Sequence, residues 1–146
     1  MREIKFRGKS KNIDEWCYGT YIFIDDAIND PLNTRPIREI HKIVFWCSGD
    51  WGMGGWVDEE VIPETIGQYT GLKDKNEEEI YEGDIILWHN KKYVVKFQSG
   101  MFYASVKEFN EGVHGGYPLW SLVKYHDEQD CGVIVGNIYE NNEEKQ

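Results

Sequence analysis

The chain has 146 residues, 16 basic and 26 acidic, and a formal charge of −10. That length fits one domain or two small ones, and it can bury roughly 68–70% of its unfolded surface, so no metal or disulfide staple is required. The charge excludes an ordinary duplex-DNA binder, which gains affinity by setting Lys and Arg against phosphates, and the six Trp, nine Tyr and six Phe exclude a disordered chain.

Alternation of apolar and polar residues dominates from the start. In residues 3–7, Ile4 and Phe6 take one face and the charges the other, as a half-buried strand requires. Residues 1–11 carry Arg2, Lys5, Arg7, Lys9 and Lys11 against Glu3, which reads as an edge strand protected by lysines. Residues 16–24 and 40–47 are rich in aromatic and β-branched side chains and predict two further strands. Asp30-Pro31 and Arg35-Pro36 punctuate the loop between them. Residues 48–56 interleave four glycines with Trp51 and Trp56. That composition cannot sustain a helix and predicts a surface loop or wide hairpin tip.

Residues 64–76 form a second organised block closing on a Lys73-Asp74-Lys75-Asn76 turn. Residues 85–88 read as a buried strand, followed by turns at His89-Asn90-Lys91 and Ser99-Gly100. Tyr93, Val95 and Phe97 share a face between those turns, and strands are predicted near 101–104, 119–125 and 133–139. The best helical candidate, 106–111, is short. Strands at this spacing predict a mainly β protein with an SH3-like barrel in its C-terminal part and little helix. The division expected is an N-terminal β-rich subdomain over 1–63, a C-terminal barrel over 64–139, and a polar tail over 140–146.

Three blocks resemble the YopX family of phage and prophage proteins. They are MREIKFRGKS at the N-terminus, ETIGQYTGLKDKNEEEIYEGDII at residues 64–86, and the run from Val133 through Asn141 near the C-terminus. One departure stands out, because the family usually has Gly after the Asn of the central turn and this chain has Glu77. The resemblance implies a phage or prophage origin, a mainly β fold and action inside a bacterial host. It supplies no catalytic residues.

Motifs for chemistry fail on inspection. His41, His89, His114 and His126 form no HxH or HExxH pair, and no phosphate-cradling glycine loop precedes a helix. His126-Asp127 with Cys131 is better read as inert packing than as a nucleophile site. The carboxylates of Glu77-Glu78-Glu79 with Glu82 and Asp84, and of Asp58-Glu59-Glu60, could attract a hard cation, but neighbouring strand residues diverge. No cofactor and no metal is therefore expected. Cys17, Cys47 and Cys131 form no CxxC, which suits a reducing compartment. The first residues lack a secretory apolar core, and the longest apolar run, 43–47, is far below the ~20 residues of a membrane helix. The expected location is the cytoplasm.

The aromatic residues carry the functional expectation. Trp88 is expected to fold back over the core, whereas Trp51 and Trp56, with Met53 between them, form a candidate interaction site. The leading expectation is a non-enzymatic accessory protein that binds another protein, with self-association also open. The alternatives are a nucleic-acid-associated small β-barrel, which requires Lys or Arg on a face that holds Trp or Tyr, and an unrecognised hydrolase or ligand-binding protein, which requires a convergent His and carboxylate pocket.

Overall fold

A computed structural model describes residues 3–25, 39–49, 54–106, 116–123 and 131–140. The chain forms two units, Ile4–Ile66 and Gly67–Gln146, the second joined by Met1–Glu3. The expected loop punctuation at 30–36, the helical candidate beyond Val106 and the tail beyond Glu140 lie outside the described residues.

In the first unit β1 (Phe6–Lys9), β2 (Trp16–Asp25), β3 (Glu39–Cys47) and β4 (Gly55–Glu60) form an antiparallel meander. Alternate residues of β2 and β3 turn inward, where Cys17, Ile43 and Val61 are buried with Phe6, Tyr21, Phe45 and Ile66 packed against them. The meander curls until the chain after β4 reaches the end of β1. There the Ile62 N–H donates to the Lys9 carbonyl at 2.8 Å and the Lys11 N–H to the Glu60 carbonyl at 2.9 Å. A 3-10 turn, Pro63–Thr65, follows, and Thr65 Oγ1 accepts the Lys9 N–H at 2.8 Å.

This pairing corrects the reading of the basic N-terminal segment as a lysine-guarded edge. Arg7 is buried with its guanidinium 4.7 Å above the Trp16 ring. Lys9 pairs with Asp14 at 2.5 Å and Lys11 with Glu60 at 2.6 Å. Much of the positive charge is thus engaged within the unit.

In the second unit β5 (Gly67–Lys73) and β6 (Glu79–Tyr81) make a hairpin. β7 (Asp84–Trp88), β8 (Lys91–Gln98), β9 (Met101–Val106) and β10 (Gly116–Pro118) follow as a meander. After a short helix, α1 (Leu119–Val123), the strand β11 (Val133–Asn137) returns beside β7, giving the order β10-β9-β8-β7-β11. Ile80, Ile86, Val95, Ala104 and Leu122 are fully buried in its core together with Tyr93 and Leu119. Each of the Ile, Val and Leu side chains contributes about 1.5–3 kcal/mol of hydrophobic stabilisation.

The mainly β class stands, but the SH3-like barrel is not confirmed. The sheet has two ends, β10 and β11, and no pairing among the described residues joins them. The strand expected over 119–125 is instead helical over Leu119–Val123, because Leu119, Leu122 and Val123 fall at helical spacing and bury together. Both ends of the sheet are blunted. β10 is three residues long and ends in Pro118, and a register shift in β11 falls between Ile134 and Gly136.

The turns follow local backbone chemistry. His89 and Asn90 have φ of 48° and 61°, and Ser99 and Gly100 have 53° and 81°, so both hairpins of the β7–β9 meander use left-handed two-residue loops that match strand twist. The β5–β6 turn is built around Asp74, which is only 4% exposed. Its Oδ1 accepts N–H groups from Asn76 at 2.8 Å and Glu78 at 3.0 Å, while Oδ2 accepts the Ile134 N–H of β11 at 3.0 Å. Glu77 sits in this turn with φ of 63°, a conformation that favours glycine.

Glu77→Gly should therefore stabilise the protein by about 0.5–1 kcal/mol, read as a rise in melting temperature of about 2–4 °C. An unchanged or lowered melting temperature would contradict a left-handed residue 77. Asp74→Ala should cost about 3 kcal/mol in urea unfolding, since it strands three N–H donors in a buried turn. A loss below about 1 kcal/mol would mean that water replaces the carboxylate.

Candidate functional site

In β2 and β3 most of the residues between the inward-facing ones are also apolar, and they have no interior to enter. Tyr18, Ile22 and Ile24 of β2 and Trp46 of β3 are exposed, and Val44 is half-buried. Register places Thr20 opposite Val44, Ile22 opposite Lys42, and Trp46 opposite Trp56 of β4. The two indole rings meet edge to face, with centroids 5.5 Å apart and planes at 81°. They remain 56% and 72% exposed, respectively. A groove of about 310 Å³ opens beside them, lined by Ile22, Ile24, Lys42, Val44, Trp56 and Asp58. Lys42 forms an ion pair with Asp58 there, so charge on this face cancels.

Of the three residues expected to interact, Trp56 lies on a strand rather than at a loop tip. Trp51 and Met53 lie outside the described residues. Trp46, Ile22 and Ile24 escaped the sequence reading. Their signal was the unbroken apolar runs at 21–24 and 43–47, since an antiparallel strand with one solvated face normally alternates.

The described histidines and Cys131 each have their own local partners. His41 Nδ1 shares a hydrogen bond of 2.8 Å with the Tyr21 hydroxyl, and its Nε2 lies 3.9 Å from Glu39. Burial, then the Glu39 charge, pushes the Tyr21 phenol above its ordinary range, the wrong direction for a nucleophile. His89 stacks on Trp88, centroids 4.1 Å apart, and Trp88 is packed against the core. His114, His126 and Asp127 lie outside the described residues. Cys131 donates its thiol to the Val123 carbonyl at 3.5 Å. Burial, then Glu59 and Glu15, raises the Cys17 thiol above its usual range, which suits packing rather than reactivity.

The carboxylates likewise diverge. Glu59 accepts from Ser10 at 2.6 Å and Asn12 at 2.8 Å, while Glu60 pairs with Lys11. Glu79 accepts the Tyr81 hydroxyl at 2.8 Å, Glu82 the Phe97 N–H at 3.3 Å, and the buried Asp84 the Tyr81 N–H at 2.7 Å. Among the described residues no three His, Cys, Asp or Glu side chains are grouped to hold a metal ion. No described helix is long and apolar enough to cross a membrane.

The family model described as YopX protein matches residues 5–144. The chain belongs to the YopX family. A crystal structure of protein EF1440 from Enterococcus faecalis is similar over 98% of each chain, with a TM-score of 0.53 and 22% identity, a likeness of fold alone. No curated protein matches the chain. In this YopX protein the blocks that carry the resemblance hold turns. Asp74 and Asp84 bind backbone N–H groups in the central block, and in the C-terminal block Asn137 Oδ1 accepts from Tyr139 at 2.9 Å and Glu140 at 3.0 Å.

Tyr93 is buried beside Tyr117, and burial, then that neighbouring phenol, raises its pKa as well. Tyr21 and Tyr93 thus hold their protons in the folded chain at a pH where the unfolded chain releases them. Their contribution to stability is complete below about pH 10 and is lost as pH rises through the folded values. Unfolding free energy should fall above pH 10, with a fraction of the tyrosines ionising late by ultraviolet absorbance. Simultaneous ionisation of all nine tyrosines near pH 10 in the folded protein would contradict this.

Proposed function

We propose that this YopX protein is a non-enzymatic accessory protein of phage or prophage type that docks another protein on the outer face of its N-terminal sheet. The observation that carries the reading is the Trp46–Trp56 pair, two large rings left in solvent beside Ile22 and Ile24. Tryptophan concentrates binding energy when a partner desolvates it, and contiguous exposed apolar surface on a small protein marks an interaction site. The internal Lys42–Asp58 pair supports an apolar partner surface over a charged one. A second copy of the chain could fill the same role.

The C-terminal unit enters this reading as a scaffold. Its meander of four strands, helical turn and final strand beside the first support reading it as an SH3-like barrel left open. The setting proposed is the bacterial cytoplasm.

A photo-crosslinking residue placed at position 56 or 22 should capture a defined protein in bacterial cells. The same residue at Asp14, exposed on the turn between β1 and β2, should not. Trp46→Ser should abolish capture from position 22 and leave the circular dichroism unchanged. Equal capture from position 14, or none from either face position, would refute the reading. A crosslink to a second copy would assign the face to self-association.

A further inference from the structure

The second sheet carries surface chemistry unlike most of this acidic chain. Between Asp84 and Glu108 the sequence has no acidic residue, yet it contains Lys91, Lys92, Lys96 and Lys107. This stretch includes nearly all of the β7–β9 meander. Lys91, Lys92 and Lys96 are exposed on β8. Period-two geometry sends Lys92 and Lys96 to the face opposite Tyr93 and Val95, which point into the core. Val94 lies buried between the two lysines.

On the neighbouring strand Tyr103 stands directly across from Lys96 and, on its other side, across from Pro118 of β10. Its ring lies over Gly116. A Cβ at residue 116 would fall 2.5 Å from Tyr103 Cδ2 and 2.6 Å from Cε2, so no larger residue permits this placement. The phenol is anchored through a hydrogen bond from its hydroxyl to Gln98. Beside it opens a groove of about 350 Å³ lined by Gln98, Met101, Tyr103, Gly116 and Pro118. Glu82, bound to the Phe97 N–H, brings one carboxylate to the end of β8 that holds Lys96.

We infer that this outer face of the second sheet binds single-stranded nucleic acid, with a base on Tyr103 and the backbone on Lys92 and Lys96. An aromatic ring on a strand face is a stacking platform, which serves any base, and ammonium groups on the same face serve the phosphates. An acidic peptide would use the lysines without the ring. A duplex would need a broader basic surface than a chain of charge −10 provides. The inference rests on the second sheet alone and is independent of the protein partner proposed for the N-terminal face.

The test is fluorescence anisotropy of a labelled oligothymidylate of about 15 nucleotides, within the span covered by small β-barrels, titrated with the full chain. Binding should appear at low salt and weaken about tenfold between about 50 and 200 mM, as two or three lysine–phosphate contacts predict. The Lys92→Ala, Lys96→Ala double variant should lower the slope of log K against log salt by about 1.4. Tyr103→Ala should weaken binding about tenfold or more through lost stacking, and Tyr103→Phe should restore it. Trp46→Ser with Trp56→Ser should bind like the unaltered chain.

Circular dichroism and melting temperature verify that each variant is folded. No binding at low salt would overturn the inference. So would heparin, which has no bases, competing equally while Tyr103→Ala binds normally. Loss of binding in the double tryptophan variant would assign the strand to the other face and overturn it as well.

Discussion

A pleated strand sends successive side chains to opposite faces, and a small meander has only one interior. β2 and β3 nevertheless carry apolar residues on both faces. Ile43, Tyr21 and Phe45 find the inner cluster, while Ile22, Ile24 and Trp46 remain outside it. A single exposed apolar residue is ordinary on any protein surface. Here several stand in register across three strands, so that the edge-to-face tryptophan pair is continuous with an aliphatic groove. The curl of the meander, closed by Val61 and the hydrogen bonds from Lys11 and Ile62, fixes which face becomes that outer surface.

Buried polar groups hold the turns of the second unit. Asp74, Asp84 and Asn137 are nearly inaccessible, and each accepts hydrogen bonds from backbone N–H groups at a bend in the chain. Such groups are costly to bury and stable once satisfied. This accounts for the most recognisable blocks of the chain without invoking catalysis. Glu77 shows the same logic in reverse, since the central turn keeps a left-handed conformation at a residue without glycine's freedom.

The two sheets present different chemistry to their surroundings. On the first, charged groups are paired within the face and the exposed material is apolar. On the second, exposed lysines accompany a tyrosine laid over glycine. Salt acts on such surfaces in opposite ways. Screening weakens contacts between lysine and phosphate, and it reduces the repulsion between an acidic chain and an apolar partner of like charge.

Alternation, turn residues and composition by themselves determined the mainly β class, most strand positions, the hairpin turns at His89-Asn90 and Ser99-Gly100, and the resemblance to a family. These are local properties: side-chain period and backbone preference act over a few residues. Tertiary structure alone decided that β1 is paired beyond β2, that 119–123 coils rather than extends, and that Trp46 joins Trp56. It also decided which lysines share a face with Tyr103. Those outcomes depend on register and on which face has an interior to fill, and both are set by partners distant in the chain.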